Sequence, residues 1–94
     1  MKPAELRVKL DEIFKDTPVL KLGNNTWVGR EVVLQICGES FTVHMKINDG
    51  GNFTYRTNLI SDVKSVYTVH IIRQYHITLY KKNGCEICDF AVIV

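Results

Sequence analysis

The sequence predicts an α+β fold, one N-terminal helix packed on a curved antiparallel sheet of about five to six strands, and three observations predict it. A proline-opened amphipathic stretch fills the first sixteen residues, alternating apolar runs fill the rest, and glycine-containing turn dipeptides separate those runs at hairpin spacing. The strands divide into a meander and a C-terminal hairpin, and the whole chain, 1–94, reads as a single domain.

The helix opens at Pro3, where the missing N–H donor costs nothing. Leu6, Leu10, Ile13 and Phe14 form one apolar stripe, and Glu5, Arg7, Lys9, Asp11, Glu12 and Lys15 occupy the rest of the cylinder. Asp16-Thr17-Pro18 ends it, because the residue before proline is pushed out of the α region. About a dozen residues at 1.5 Å each make a rod of about 18 Å, enough to cover about four strands and leave sheet uncovered.

A short edge hairpin follows, from Leu20–Leu22 to Trp27 through Asn24-Asn25. Gly38-Glu39 then suits a turn that needs glycine first, aligning Ile36 with Phe41, Leu34 with Val43, Val32 with Met45 and Glu31 with Lys46. Taking Asp49-Gly50-Gly51 as a three-residue loop sets Ile47 against Phe53, Met45 against Tyr55, His44 against Arg56 and Phe41 against Leu59.

From Val66 to Tyr80 no turn residue occurs, so the stretch reads as one long strand bent near Arg73-Gln74. Its odd-numbered residues are apolar except Arg73, which would lie opposite Val94. The residues before Arg73 then need the meander or another chain as partner, which leaves room for a homodimer through a sheet edge or an uncovered sheet face. Asn83-Gly84 predicts a two-residue turn, pairing Lys81 with Glu86, Tyr80 with Ile87, Leu79 with Cys88, Ile77 with Phe90 and Tyr75 with Val92. A slip of one residue would turn that apolar set to solvent.

A net charge of +2 and an apolar content of 46% are ordinary for a small globular domain. No apolar run approaches the ~20 residues of a membrane span, and no signal-peptide layout opens the chain, so a cytoplasmic protein is expected. Asn24-Asn25-Thr26 and Asn52-Phe53-Thr54 match the glycosylation sequon but read as turns entering strands.

Cys85 and Cys88 form a C-x-x-C, yet in a regular strand their thiols point to opposite faces, and only Cys37 and the histidines could complete a metal site. Neither metal nor any other cofactor is expected. His44 falls on the outer face of the meander, and His70 and His76 fall about 20 Å apart along a straight strand. Asp11 and Glu12 sit on the outer helix face, and no nucleophile, zinc-protease, phosphate-loop or dinucleotide motif occurs, so no catalytic residue is assigned.

What remains is a non-enzymatic binding protein acting stoichiometrically on a protein partner, as an inhibitor, adaptor or regulatory accessory subunit. Its candidate surfaces are the strand face with Thr42, His44, Lys46, Thr54, Arg56 and Asn58, and the hairpin end with Tyr80, Lys81, Lys82 and Ile87. Tyr80 and Ile87, apolar and rimmed by charge, make the better anchor. The alternative is a nucleic-acid-binding regulator using a basic, partly aromatic sheet surface, although a pI near 8.5 is mild for that role.

Overall fold

The computed structural model describes residues 1–46 and 53–93. The fold is α+β: helix α1 (Pro3–Ile13) and two antiparallel sheets. The larger sheet holds β1 (Leu20–Leu22), β2 (Thr26–Gly29), β3 (Val32–Cys37), β4 (Ser40–Lys46) and β5 (Phe53–Leu59), in sequence order. A 3-10 turn, Ile60–Asp62, leads to the smaller sheet of β6 (Ser65–Ile71), β7 (Gln74–Tyr80) and β8 (Glu86–Ile93). Eight strands among the described residues thus replace the five or six expected, because the edge hairpin forms and the stretch expected as one long strand is itself a hairpin.

The helix follows its pattern. Leu6 and Leu10 are wholly buried, Phe14 nearly so, and Glu5 accepts the Lys2 backbone N–H at 3.4 Å at the opening turn. Asp16 takes a left-handed φ of 61°, a conformation Asp tolerates better than most residues, and Thr17 Oγ1 donates to the Phe14 carbonyl at 2.7 Å before Pro18. The Asp11 carboxylate docks the helix on the β1–β2 hairpin. It accepts the Trp27 indole N–H at 3.0 Å and pairs with the Lys21 ammonium, which lies 4.4 Å from the centre of the Trp27 ring. That anchorage orders a hairpin whose own alternation is poor.

Apolar side chains from both sheets meet under the helix. Phe41 of β4 lies 6.0 Å from Phe90 of β8, and Phe14 meets Tyr75 edge-on at 6.1 Å. Backbone contact between the sheets runs through an isolated bridge from Arg30 to Ile93. Beside it, Gly29 faces Val32 and Val92 so closely that an added Cβ would stand 3.0 and 3.1 Å from their methyl groups.

Three registers test the sequence reading. At β3–β4 it holds: Ile36 pairs with Phe41, Leu34 with Val43 and Val32 with Met45, with Gly38 at φ 59°. Glu31, at φ 63°, sits in the preceding turn outside the paired strand.

At β4–β5 the pairing is displaced by one residue. Val43 meets Arg56, His44 meets Tyr55 and Phe41 meets Asn58. The expected Phe41–Leu59 match yields to Ile60, which is fully buried and whose N–H donates to the Glu39 carbonyl at 2.8 Å, while Leu59 stays 53% exposed. Arg56 and Asn58 therefore leave the face that holds Thr42 and His44. Phe53 likewise pairs with Lys46 in place of Ile47, while the Asp49-Gly50-Gly51 loop and Val94 lie outside the described residues.

At β7–β8 two departures cancel. Asn83 has no positive φ and Gly84 alone is left-handed at 87°, so the loop is Lys82-Asn83-Gly84, closed by the Lys81 N–H on the Cys85 carbonyl at 2.8 Å. Tyr80 then pairs with Glu86, and Ile87 forms a bulge that restores Leu79–Cys88, Ile77–Phe90 and Tyr75–Val92 as expected.

The largest correction falls between Val66 and Tyr80. The segment is a tight hairpin turned by Ile72-Arg73, with Ile71 paired to Gln74 and Arg73 held at φ 61°. Neither residue is a turn former, and a left-handed φ costs a non-glycine residue roughly 1–2 kcal/mol. Pairing of Val66 with Leu79, Thr68 with Ile77 and His70 with Tyr75 offsets that cost. Residues before Arg73 thus find their partner within the same segment.

Candidate partner-binding surface

Cross-strand partners share a face of a sheet, and neighbours along a strand alternate. In a single strand, Tyr67, Val69 and Ile71 would share the core side with Tyr75, Ile77 and Leu79. Folding at Ile72-Arg73 inverts this parity: Tyr67 pairs with Thr78, Val69 with His76 and Ile71 with Gln74. The odd residues of β6 are therefore turned outward, while Val66, Thr68 and His70 face inward with Tyr75, Ile77 and Leu79. On the inner side the His70 ring stacks flat on Tyr75 at 4.2 Å.

The β6 row of this outer face is thus apolar. Tyr67 is 59% exposed, Ile71 60%, and Ile72, at the tip of the turn, 88%; Val69 and Ile93 are exposed beside them. The polar members of the face are Gln74, Thr78 and a pair in which His76 Nε2 lies 3.2 Å from Asp89 Oδ2. Both partners of that pair are exposed, which limits it to about 1 kcal/mol or less even when the histidine is charged.

The residues singled out from sequence lie elsewhere and do not form one cluster. Ile87 is half-buried and packs against the core from its bulge, and Tyr80, also half-buried, is flanked by Ser65 and Glu86, so the two do not make the outward pair expected of them. Lys81 and Lys82 line a shallow depression of about 360 Å³ with Ser61, Asp62 and Asn83. Arg56 spans the gap between the sheets and donates from Nη1 to the Asp89 carbonyl at 3.4 Å. His44 is half-buried, between Val33 of β3 and Tyr55 of β5. The signal that would have found Tyr67, Val69 and Ile71 was their alternation. Without a turn residue at 72–73, that alternation points them to the core side.

The cysteines separate as the strand geometry requires. Cys85 is exposed just before β8, and Cys88 is buried, its thiol pushed up to about 11 by burial against a smaller opposing pull from Arg56. Among the described residues no three His, Cys, Asp or Glu side chains gather closely enough to hold a metal ion. Iodoacetamide at pH 8 should alkylate exposed Cys37 and Cys85 quickly, and Cys88 at least tenfold more slowly until urea is added. Peptide mass spectrometry reads this, and equal rates at all three thiols would contradict the burial of Cys88.

Among the described residues no helix is long and apolar enough to cross a membrane. No protein-family model, curated protein or solved structure matches the chain.

Proposed function

We propose that this protein is a non-enzymatic binding module that acts stoichiometrically on a protein partner, as an inhibitor, adaptor or accessory subunit, through the outer face of β6–β7–β8. One observation carries this reading: Tyr67, Val69, Ile71, Ile72 and Ile93 crowd one sheet face and its tip while remaining exposed. Exposed apolar side chains rimmed by polar ones are typical of interface centres, where a tyrosine among aliphatic residues often dominates the energy. The face is also rigid. Its β7 and β8 are stapled from below by buried Ile77, Leu79, Phe90 and Val92, and β6 is held to β7 by a seven-residue ladder, which limits the ordering needed on binding.

The test is capture of the tagged protein's partners from its host lysate, with and without nuclease, using the parent and a Tyr67→Ser, Ile71→Ser variant. Both side chains are exposed, so the variant should keep its thermal midpoint. We expect nuclease-resistant partners to be lost from the variant, with affinity down about 30-fold or more, the scale of an interface hot spot. Undiminished capture would remove this face from consideration. Loss of every partner on nuclease treatment would make nucleic acid the ligand and direct mutagenesis to Arg56, Lys81 and Lys82.

A further inference from the structure

Besides its outer face, β6 has a free edge. β6 ends the order β6-β7-β8, with β7 as its one neighbour in the sheet. The two-residue turn makes Ile71 and Gln74 the pair that exchanges both backbone bonds, so Ser65, Tyr67, Val69 and Ile71 direct their N–H and C=O groups at β7. At the far end the alternation breaks, since the Lys64 N–H also turns to the sheet and bonds to the Tyr80 carbonyl at 2.7 Å, so the free edge begins at Val66. Val66, Thr68 and His70 direct theirs away from the sheet, and no backbone partner for them exists among the described residues. Edge strands are commonly guarded by proline, an inward charge, a mid-strand bulge or brevity. Ser65–Ile71 is seven residues long and has none of these within it.

Charge decides what fits there. From Ser65 to Tyr80 there is no acidic residue, while Lys64 and Arg73 stand at the two ends of β6 and His70 lies between them. A second copy pairing antiparallel about Thr68 would set Lys64 opposite Ile72 and Arg73 opposite Val63 of the other chain. Each arginine would then stand between Asp62 and Lys64 of the other chain, so self-pairing gains no net attraction at the ends of the joint ladder. A strand with acidic ends meets the same two cations as partners instead.

Resting on the protein-binding reading above, we infer that β6 takes up an extended segment of the partner as a fourth strand of this sheet. The segment has apolar residues at alternate positions, beside Tyr67, Val69 and Ile71, and acidic residues at its ends, beside Lys64 and Arg73. Its backbone bonds go to Val66, Thr68 and His70, and its outward side chains extend the apolar face. Strand addition of this kind takes affinity from main-chain bonds and specificity from alternate side chains.

Four fluorescein-labelled nonapeptides test this by polarisation against the full chain: Asp-Asp-Val-Thr-Val-Thr-Val-Asp-Asp, the same core with Lys-Lys ends, and the acidic peptide N-methylated at alternate residues in each of the two possible registers. The acidic peptide should bind at least tenfold more tightly than the lysine version, and one methylated register, the one whose N–H groups face β6, should lose at least tenfold while the other binds like the parent peptide. Thr68→Pro in the protein should cost a similar factor, because the N–H it removes points out of the sheet and its loss spares the pairing with β7. Should that variant fail to fold, the methylated peptides ask the same question of the unaltered protein. Equal binding of both methylated forms and the parent peptide, preference for lysine ends, or no binding at 1 mM would each overturn strand addition. So would a dimer in sedimentation that Thr68→Pro dissociates, which would seat a second copy on the edge. A partner from lysate that is lost with Tyr67→Ser, Ile71→Ser yet kept with Thr68→Pro would sink the strand-addition model and leave the binding face standing.

Discussion

Replacing Trp27 with alanine should remove about 3–5 kcal/mol from the folded state, the range for truncating a large buried aromatic side chain. A domain of this size has roughly 5–15 kcal/mol in total, so the variant should be partly unfolded near physiological temperature. Three connections fail together: a side chain only 2% exposed, its N–H bond to Asp11, and the surface under the Lys21 ammonium. Trp27→Phe separates them, since it keeps most of the packing and loses the hydrogen bond, for about 1 kcal/mol.

The same contact predicts a pH dependence. Partial burial pushes the Asp11 carboxyl up, but the hydrogen bonds from Lys21 and Trp27 outweigh it and hold the carboxyl below its usual value. A carboxylate with a lowered folded-state value stabilises the protein above its unfolded value, about 3.9, and loses that contribution as pH falls through the lower folded one. Urea midpoints at pH 7 and pH 3 should therefore differ less in Asp11→Asn than in the parent. A Trp27→Ala loss below about 1 kcal/mol would show that the helix is anchored elsewhere.

The second large effect is expected at Gly29. A methyl group there would meet Cγ1 of Val32 at 3.0 Å and Cγ1 of Val92 at 3.1 Å, on side chains that are 3% and 1% exposed and stiff at χ1. Gly29→Ala restricts the unfolded chain, which is worth about 0.4–1 kcal/mol of stability, but overpacking costs about 1–3 kcal/mol. The net result should be destabilisation by about 1–2 kcal/mol, and more for Gly29→Val. The cause is checked in a Val32→Ala background, where the nearer of the two obstructing methyls is gone. There Gly29→Ala should cost at least 0.5 kcal/mol less, about the smallest coupling that neighbouring sites show. Strict additivity would place the strain elsewhere.

Local chemistry that announces itself was legible in the sequence. Pro3, the Leu6–Leu10–Phe14 stripe and Gly38 led to the helix and to β3–β4 with its register intact. The core half of the C-terminal hairpin was legible too, because Leu79, Ile77 and Tyr75 match Cys88, Phe90 and Val92 in only one alignment. What escaped was decided by competition at a distance. Leu59 and Ile60 are equally apolar neighbours, and only the position of the Glu39 carbonyl selects Ile60 for the interior. Ile72 and Arg73 have no turn preference, and the hairpin exists because the strands on either side pair well enough to impose a left-handed arginine. That single hidden turn also hid the candidate site, since it decides which side of β6 meets water.

The paired departures at the C-terminal hairpin have a practical consequence. One extra residue in the Lys82-Asn83-Gly84 loop is taken up by one extra residue at Ile87, so everything from Leu79–Cys88 inward is indifferent to how the tip is built. Residues 81–86 are all exposed. This tip behaves like a slack coupling at the end of a stiff rod. An epitope tag or a fluorophore spliced between Lys82 and Asn83 would lie about 20 Å along β7 from Ile72, leaving β6 open for binding studies.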